Sequence, residues 1–247
     1  MRVDHCETAQ AECDWLQQRV RSSGQAVQVL VCHYRAPAII FGLSQRPDST
    51  LKERLDTAGL PWMRRRAGGG TVYAGPWLLG VSLILPASHP RSALEPFAAY
   101  RWFGELWQTA LASLGYASRL PDADLISVSR RRAAAAGIDW ACYGAFGHGE
   151  LATDESVPRK LLGIAQIRTR AASTLVAGLN LAAVDWGSLC ELLGKPRGQG
   201  EQLSRLNAGV ADLPVRGERT PAGLARQTVD AFVEVLARQL DGNAGDL

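Results

Sequence analysis

Apolar residues recur along this chain at two spacings, and the changes between them predict its secondary structure. Apolar residues at every third or fourth position indicate a helix, and a continuous or alternating run of apolar residues indicates a strand. Typical capping residues support several helix boundaries: Asp48 or Ser49 precedes one apolar face, Asp185 precedes another, and Gly115 follows a third. The predicted helices are residues 9–21, 49–58, 97–114, 186–193 and 218–241.

The predicted strands cluster together and do not alternate one by one with helices. This order is typical of an α+β fold, so we expect a mixed, largely antiparallel sheet packed with helices. Residues 1–247 are expected to form a single domain, in which residues 194–217 are a loop region with one short helix at 203–206, before the closing helix at 218–241. Residues 119–129 are expected to be extended, and residues 130–136 to form a short helix or a connection. The predicted strands are residues 26–34, 38–41, 62–65, 72–85, 138–142, 149–153, 160–169 and 173–181.

Composition and charge narrow the class of protein. The chain has 247 residues, 47% of them hydrophobic, and its formal net charge of +3 is too diffuse to predict nucleic-acid binding. No apolar run is long enough to span a membrane, and residues 1–7 lack the apolar core of a signal peptide, so we expect a cytoplasmic protein without a membrane partner. Five scattered cysteines without a CxxC pair, and four separated histidines, predict reduced thiols and no metal site.

Three arginines run into three glycines in residues 64–72 (RRRAGGGTV), just before an apolar strand. Because glycines lack a Cβ atom, the backbone can approach a ligand there, and its N–H groups and the arginines suit a carboxyl, acyl or phosphate group. No Gly-Lys-Ser/Thr follows, which excludes a Walker A loop, and the following strand excludes a dinucleotide-binding turn that opens a helix. A glycine hairpin with a solvated basic flank is the alternative.

Lys160 precedes two small residues, Gly163 and Ala165, on a predicted strand. Small residues on a strand allow a ligand or another backbone to come close. A lysine beside them can hold an acyl carbonyl or a phosphate oxygen and stabilise a developing oxyanion. The alternative is an exposed hairpin lysine, because most lysines lie at the surface.

Cys142 ends a predicted strand and precedes a glycine-rich loop. At such a position it is a candidate nucleophile, and a nearby cation, Lys160 or His148, favours the thiolate. The alternative is a small buried residue, since free cysteine is among the most buried residue types. The other four cysteines are interpreted as buried.

Four motifs, in order, resemble the lipoate–protein ligase and octanoyltransferase superfamily, relatives of the catalytic domains of biotin–protein ligases. The first is residues 38–45 (AIIFGLSQ), similar to a strand followed by Gly-x-x-Gln, and the second is residues 64–72, similar to RRxSGGGxV. The third is residues 159–166 (RKLLGIAQ), similar to RKIxGxAQ, and the fourth is residues 178–181 (GLNL). The resemblance covers about residues 8–195 and implies a biotin/lipoate protein ligase-like catalytic fold.

This resemblance implies an enzyme that joins an octanoyl or lipoyl group to a specific lysine of a lipoyl-carrier domain. It implies that Lys160 is catalytic and contacts the acyl carbonyl or an activated phosphate. The residues that it implies for binding the substrate are Arg65, Gly68, Gly69, Gly70, Thr71, Val72, Gly163, Ala165 and Gln166.

Cysteine-dependent octanoyltransferases are the branch that the chain resembles further. Cys142, Glu150 and Leu151 keep the Cys-x7-Glu-Leu spacing of that branch. The implied reaction is a ping-pong transfer that requires no cofactor: Cys142 takes octanoyl from an acyl-carrier protein, and the lysine of the carrier domain then attacks the acyl-cysteine. The run from Arg130 to Arg132 is a hypothetical docking site for that acyl-carrier protein.

Two alternatives stand beside this interpretation. An ATP-dependent lipoate–protein ligase acting through a lipoyl-adenylate requires ATP and Mg²⁺, and Cys142 is then a packing residue. A catalytically weak relative that binds the carrier domain is the other alternative, because usual family residues are replaced. Ala67 stands where a serine is usual, Ala74 where a histidine is usual, and residues 176–177 lack a second histidine.

Overall fold

A computed structural model describes residues 1–20, 26–214 and 221–241, and these residues form ten strands and seven α-helices. The expected α+β class with a largely antiparallel sheet is confirmed. The strands are β1 (Arg2–Cys6), β2 (Gln28–His33), β3 (Ala38–Phe41), β4 (Trp62–Arg64), β5 (Val72–Ala74), β6 (Leu78–Pro86), β7 (Ser118–Arg119), β8 (Leu151–Thr153), β9 (Lys160–Arg168) and β10 (Ala172–Asn180). The helices are α1 (Ala9–Arg19), α2 (Ser49–Thr57), α3 (Pro96–Ser113), α4 (Ala123–Ala135), α5 (Trp186–Leu192), α6 (Arg197–Leu206) and α7 (Pro221–Asp241).

Two sheets organise these strands. The larger sheet has the order β1-β2-β6-β10-β9-β8-β7, and its neighbouring strands are antiparallel except for β1 and β2. The smaller sheet has the order β4-β3-β5, with β3 parallel to β4 and antiparallel to β5. The single strand predicted at residues 72–85 is therefore wrong, because the chain turns after β5 and passes from the smaller sheet into the larger one.

One face of the larger sheet packs against α3 and α7. Along β6, Leu79 and Leu83 lie in the same apolar core as Phe103 of α3 and Phe232 of α7. Because side chains alternate along a strand, Gly80 points to the opposite face, where a Cβ would meet the hydroxyl of Tyr34. A second core contains the smaller sheet together with residues of α2 and α5. Among the described residues, no helix combines the length and the apolar content needed to cross a membrane.

Helix α4 replaces the extended segment that was predicted for residues 119–129. Asp122 caps it, and one of its carboxylate oxygens accepts a hydrogen bond from the N–H of Leu125 at 2.8 Å. The helix buries only Ile126 and Ala133, seven residues apart on one side. Its apolar stripe is therefore too narrow to stand out in the sequence. Residues 130–135 complete the same helix, and Ala136 follows as its C-cap.

Other boundaries also differ from the prediction. Residues 138–142 are not a strand but lead into a tight turn at Cys142–Gly144, and the expected loop at 194–217 contains the ten-residue helix α6. Strand β1 was not predicted and pairs with β2 as an edge strand. Residue 21 of the first predicted helix and residues 218–220 of the closing helix lie outside the described residues.

Candidate active site

The end of the glycine turn is joined by its backbone to the segment that carries Cys142. The N–H of Thr71 donates to the carbonyl of Trp140 at 2.8 Å, and the N–H of Cys142 donates to the carbonyl of Thr71 at 2.9 Å. A Cβ on Gly70 would lie 2.5 Å from the carbonyl oxygen of Trp140 and 2.6 Å from the nitrogen of Cys142. The glycine at this position thus allows two backbones to meet, and the contact fixes where Cys142 lies.

The Gly70 contact gives a stability prediction. Gly70→Ala is expected to lower the free energy of unfolding by about 1–3 kcal/mol, because the new methyl group overlaps backbone atoms that cannot move independently. A Cβ on Gly68 would meet nothing within 4 Å, so Gly68→Ala is expected to change stability by less than about 0.5 kcal/mol. Urea unfolding of both variants measures the difference. Equal stability losses in the two variants would contradict the packing described here.

Arg65 and Gln45 hold the turn from inside. The guanidinium of Arg65 donates to the carbonyl of Gly68 at 2.9 Å and to that of Gly70 at 3.0 Å. The side-chain oxygen of Gln45 accepts from the hydroxyl of Thr71 at 3.1 Å, and its amide donates to the carbonyl of Trp140 at 2.9 Å. Both side chains therefore position the turn, and the donors of Arg65 described here are directed at the protein itself.

A β-bulge turns Lys160 toward Cys142. Strand β8 pairs with β9 through Leu151 with Leu162 and through Ala152 with Lys160, so Leu161 is left over on β9. A bulge re-aims the side chains on either side of it. Regular alternation along a strand would place Lys160 on the same face as Leu162 and Leu161 on the other. The bulge breaks this alternation, and Leu161 and Leu162 both enter the core beside α3.

The ammonium group of Lys160 is buried and makes three polar contacts. It donates to the carbonyls of Cys142 and Ala145, each at 2.8 Å, and it lies 2.6 Å from a carboxylate oxygen of Glu150. The residue is only 2% exposed, so the exposed-lysine alternative is excluded. Since an ammonium has three N–H donors, the described contacts use all of them. Lys160 thus fastens the turn that follows Cys142.

The carboxylate of Glu150 offsets the free-energy cost of burying the ammonium of Lys160. It is 4% exposed, and besides Lys160 it accepts hydrogen bonds from the N–H groups of Gly147 and Ile164. Burying one charge alone is costly, and a paired, fully hydrogen-bonded carboxylate offsets that cost. Sequence reasoning noted Glu150 only as part of a spacing, and a buried acid of this kind is visible only once β8 and β9 are paired.

The side chains of Cys142, Glu150 and Lys160 all lie close to Gly163. A Cβ at this position would lie 3.5 Å from the sulfur of Cys142, 3.7 Å from a carboxylate oxygen of Glu150 and 3.7 Å from Cε of Lys160. Cys142 itself is partly exposed. A thiol, a carboxylate and an ammonium therefore lie around one bare Cα, with the thiol open to a ligand.

An apolar cavity extends from Cys142 to helix α1. Its floor is formed where small residues of β9 and β10 lie side by side, Gly163 next to Gly178 and Ala165 next to Val176. The empty space between these residues, with the adjoining open solvent included, is about 590 Å³, and its lining is mostly apolar. An aliphatic chain that enters gains roughly 0.8 kcal/mol for each buried CH₂ group.

A buried acid lies in the wall of this cavity on α1. The carboxylate of Glu12 accepts a hydrogen bond of 2.6 Å from the hydroxyl of Tyr34. Burial raises the pKa of Glu12, and the Tyr34 hydrogen bond and the charge of Arg65 oppose this rise. Glu12 could not be singled out from the sequence, because it contacts its partner Tyr34, 22 residues away, only in the folded chain.

The raised pKa of Glu12 predicts a pH dependence of stability. The native state keeps this proton to a higher pH than the unfolded chain does, so stability falls as the pH rises from the ordinary glutamate range through the raised pKa. Glu12→Gln is expected to remove this part of the slope and to be relatively more stable at alkaline pH. Urea unfolding of wild type and variant between pH 5 and pH 9 tests it, and parallel curves would contradict it.

Of the other four cysteines, Cys32 and Cys190 are buried as interpreted, but Cys6 and Cys13 are partly exposed, as Cys142 is. Cys13 also lines the cavity, but burial raises its pKa to about 12. The pKa of Cys32 is raised by a hydrogen bond to Cys6 and by burial, and burial raises that of Cys190. Cys13 therefore stays protonated near neutral pH, and Cys142 is the candidate nucleophile because it is the cavity thiol that lies beside the bare Cα of Gly163.

The remaining predicted residues separate into two groups. Arg65, Val72, Gly163 and Ala165 line the cavity together with Cys142. Gln166 lies opposite Leu175 on the other face of β9, and its amide donates to the hydroxyl of Ser173 at 3.0 Å. Residues 68–71 form the turn beside the cavity and are not among its described lining, and the ring of His148 packs on Phe97.

The positions at which the resemblance implies a serine or a histidine carry apolar side chains. Ala67, Val176 and Ala177 line the cavity with methyl groups, and Ala74 is fully buried in β5. An apolar cavity that ends beside a partly exposed thiol can hold an acyl chain and bring its carbonyl to sulfur. The described residues include no group of three or more histidine, cysteine or carboxylate side chains able to hold a metal ion.

The family model of the lipoyl protein ligase A/B catalytic domain matches residues 6–240. A lipoate-protein ligase A bound with ATP has a TM-score of 0.66 and 18% identity, covering 96% of this chain and 86% of that chain. A bipartite lipoate protein ligase of Thermoplasma acidophilum, studied with its E2 lipoyl domain, has a TM-score of 0.66 and 16% identity, covering 96% and 84%. No curated protein matches the sequence. At these identities, the solved structures establish the biotin/lipoate ligase-like fold.

Proposed function

Because the chain belongs to the lipoyl protein ligase A/B catalytic domain family, we propose that it transfers an octanoyl or lipoyl group to the acceptor lysine of a lipoyl-carrier domain through a thioester on Cys142. The observation that carries this proposal is the partly exposed thiol of Cys142 at the apolar cavity, next to the bare Cα of Gly163. In this account the cavity binds the acyl chain, and its carbonyl carbon lies at the sulfur.

The first half-reaction loads the enzyme. The acyl donor is a thioester on an acyl-carrier protein, and the sulfur of Cys142 attacks its carbonyl carbon. A new carbon–sulfur bond forms to Cys142, the bond to the donor sulfur breaks, and the proton of the Cys142 thiol ends on the released donor thiol. Val72, Gly163 and Ala165 hold the acyl chain during this step, since all three line the cavity.

The second half-reaction transfers the acyl group. The neutral amine of the carrier-domain lysine attacks the carbonyl carbon of acyl-Cys142, an amide bond forms, and the carbon–sulfur bond breaks. The proton lost by the amine returns to Cys142, so the enzyme is regenerated and no net oxidation occurs. Aminolysis of a thioester is favourable, so this route consumes no ATP.

Lys160 and Glu150 support both steps in this account. Lys160 fastens the turn after Cys142, and its positive charge lies next to the position where negative charge develops on sulfur or on the carbonyl oxygen. Direct contact with the acyl carbonyl requires Lys160 to release one of its three present partners. We therefore assign Lys160 a positioning and electrostatic role, and Glu150 the role of holding Lys160 in place.

The alternative is an ATP-dependent lipoate–protein ligase, as the solved relatives with this fold are named. Several donors of the two buried cations are already engaged: Nε and Nη2 of Arg65 bind carbonyls of the glycine turn, and Lys160 binds two carbonyls and Glu150, so a triphosphate that binds Lys160 or these atoms of Arg65 has to replace existing contacts. This favours transfer over ligation. The catalytically weak carrier-binding protein is the third candidate.

Acyl transfer with and without ATP separates these functions. The chain is mixed with a lipoyl-carrier domain and either octanoyl-carrier protein alone or free lipoate with ATP and Mg²⁺. The proposal predicts an octanoyl amide on the carrier domain, seen by mass spectrometry, in the first mixture. Modification of the carrier domain only in the second mixture establishes ATP-dependent ligation. Binding of the carrier domain without modification in either mixture supports the catalytically weak carrier-binding protein.

Gly163→Ala tests where the acyl carbonyl lies. The added methyl group makes only ordinary contacts, 3.5 Å from the sulfur of Cys142, so the fold is expected to be kept. It fills the space beside the thiol, so kcat/KM for transfer is expected to fall about tenfold or more. Gly198→Ala, at a position on α6 where a Cβ meets nothing within 4 Å, is the matched control. Normal kinetics for Gly163→Ala would contradict this position of the carbonyl.

A further inference from the structure

We propose that the basic end of helix α4, Arg130 to Arg132, is the surface on which an acidic acyl-carrier protein docks to deliver its thioester to Cys142. This inference rests on the proposed transfer function and names the contact through which the donor is recognised. The occupant is a protein with a negatively charged face that carries an acyl thioester. The reasons are the exposure of the three arginines, their charge and the attachment of α4 to the Cys142 turn.

The three arginines project into solvent without compensating charge. All three are exposed, and none forms an ion pair with another described residue. The only described side-chain contact among them is from Arg131 to the hydroxyl of Ser127 at 2.7 Å. The acidic residues of α4, Asp122 and Asp124, lie at its other end, about 10 Å away along the axis. The helix thus presents a positive end that suits an acidic partner.

Helix α4 is attached directly to the turn that follows Cys142. The hydroxyl of Ser129, the residue before the arginines, accepts a hydrogen bond from the N–H of Phe146 at 3.1 Å. Phe146 also packs with Ile126 of α4 in a small apolar cluster. The loop from Cys142 to Phe146 is in turn held by Lys160. A protein that binds the end of α4 therefore lies beside the loop that begins at Cys142.

A structural role for the same arginines makes a different prediction. Cations in the last turn of a helix stabilise its C-terminal end through the helix dipole. In that case, charge removal lowers the thermal midpoint of unfolding and does not weaken the carrier protein selectively. Binding and stability must therefore be measured on the same variants.

The experiment compares a triple variant with a control of equal charge change. Arg130→Glu/Arg131→Glu/Arg132→Glu alters the proposed surface, and Arg101→Glu/Arg226→Glu/Arg238→Glu alters exposed arginines of α3 and α7. Affinity for purified octanoyl-acyl-carrier protein is titrated directly at low and high salt. Acylation of Cys142 is followed with that donor and with the small thioester octanoyl-N-acetylcysteamine.

We expect the α4 variant to bind the carrier protein at least about tenfold more weakly at low salt, with a smaller difference at high salt. The small thioester is expected to acylate the α4 variant at the wild-type rate, and the control variant is expected to bind the carrier protein with wild-type affinity. Arg130→Lys/Arg131→Lys/Arg132→Lys, which keeps the positive charge, is expected to bind the carrier protein as wild type does. Equal affinity of the two glutamate variants, or loss only in attack by the carrier-domain lysine on preloaded enzyme, overturns the inference. Failure of both donors to acylate wild type overturns the proposed function, while the titration still decides the docking.

Discussion

Cys142→Ala is expected to reduce ATP-independent octanoyl transfer to the carrier domain by at least about 10³-fold, because removal of a covalent nucleophile leaves only binding and electrostatic effects. The alanine side chain keeps the Cβ atom of a partly exposed residue, so the free energy of unfolding is expected to change by less than about 1 kcal/mol. Steady-state transfer rates, read by mass spectrometry of the acceptor domain, measure the loss.

Two further variants show whether this loss reports the nucleophile. Cys142→Ser keeps the size of the side chain but replaces the thiol by a much weaker nucleophile, so it is expected to trap an acyl ester or to transfer slowly. Cys190→Ala removes a thiol that is fully buried in the second core and is expected to transfer normally after correction for any unfolded fraction. ATP-independent transfer by Cys142→Ala at the wild-type rate would show that Cys142 is a packing residue.

Lys160→Met is expected to destabilise the fold by about 3–5 kcal/mol, because it leaves the buried carboxylate of Glu150 without its cation. The carbonyls of Cys142 and Ala145 also lose their hydrogen-bond donor, so the turn that carries the thiol loosens. Transfer activity is expected to fall more steeply than the folded fraction. Urea unfolding and transfer rates on the same samples measure the two effects.

A double-mutant cycle isolates the buried pair. Glu150→Gln keeps an acceptor oxygen for only one of the N–H groups of Gly147 and Ile164, which bind different oxygens of Glu150. In Lys160→Met/Glu150→Gln, however, no unpaired charge remains. The double variant is therefore expected to be more stable than Lys160→Met. Arg159→Met is the neighbouring control, since its ion pair with Glu155 is partly exposed and worth at most about 1 kcal/mol. Additive stability losses at Lys160 and Glu150 would contradict the coupling.

The sequence pattern predicted most of the fold, and its errors have physical causes. Strands with strong apolar content and helices with clear caps were predicted within a few residues, for example β3 and α2 behind Asp48. Helix α4 was missed because it buries only Ile126 and Ala133, so its sequence lacks a broad apolar stripe. Strand β1 was missed because its residues are only partly buried at the edge of the sheet.

The motifs of the candidate site could be predicted from the sequence, but the orientations and contacts of its side chains could not. The glycine turn, Cys142 and Lys160 could be singled out from residue type and order. The orientation of Lys160 depends on a bulge against β8, and Gln166 faces away because of its register with β10. The buried partners Glu12 and Glu150 meet residues that are distant in sequence, and local periodicity carries no information on such contacts.

The measurement that tests the central claim most directly is the intact mass of the wild-type chain after mixing with octanoyl-acyl-carrier protein in the absence of ATP. The account predicts the addition of one octanoyl group, removed by hydroxylamine and absent from Cys142→Ala. An unmodified chain that nevertheless lipoylates a carrier domain when ATP and lipoate are supplied would contradict it and establish ligation.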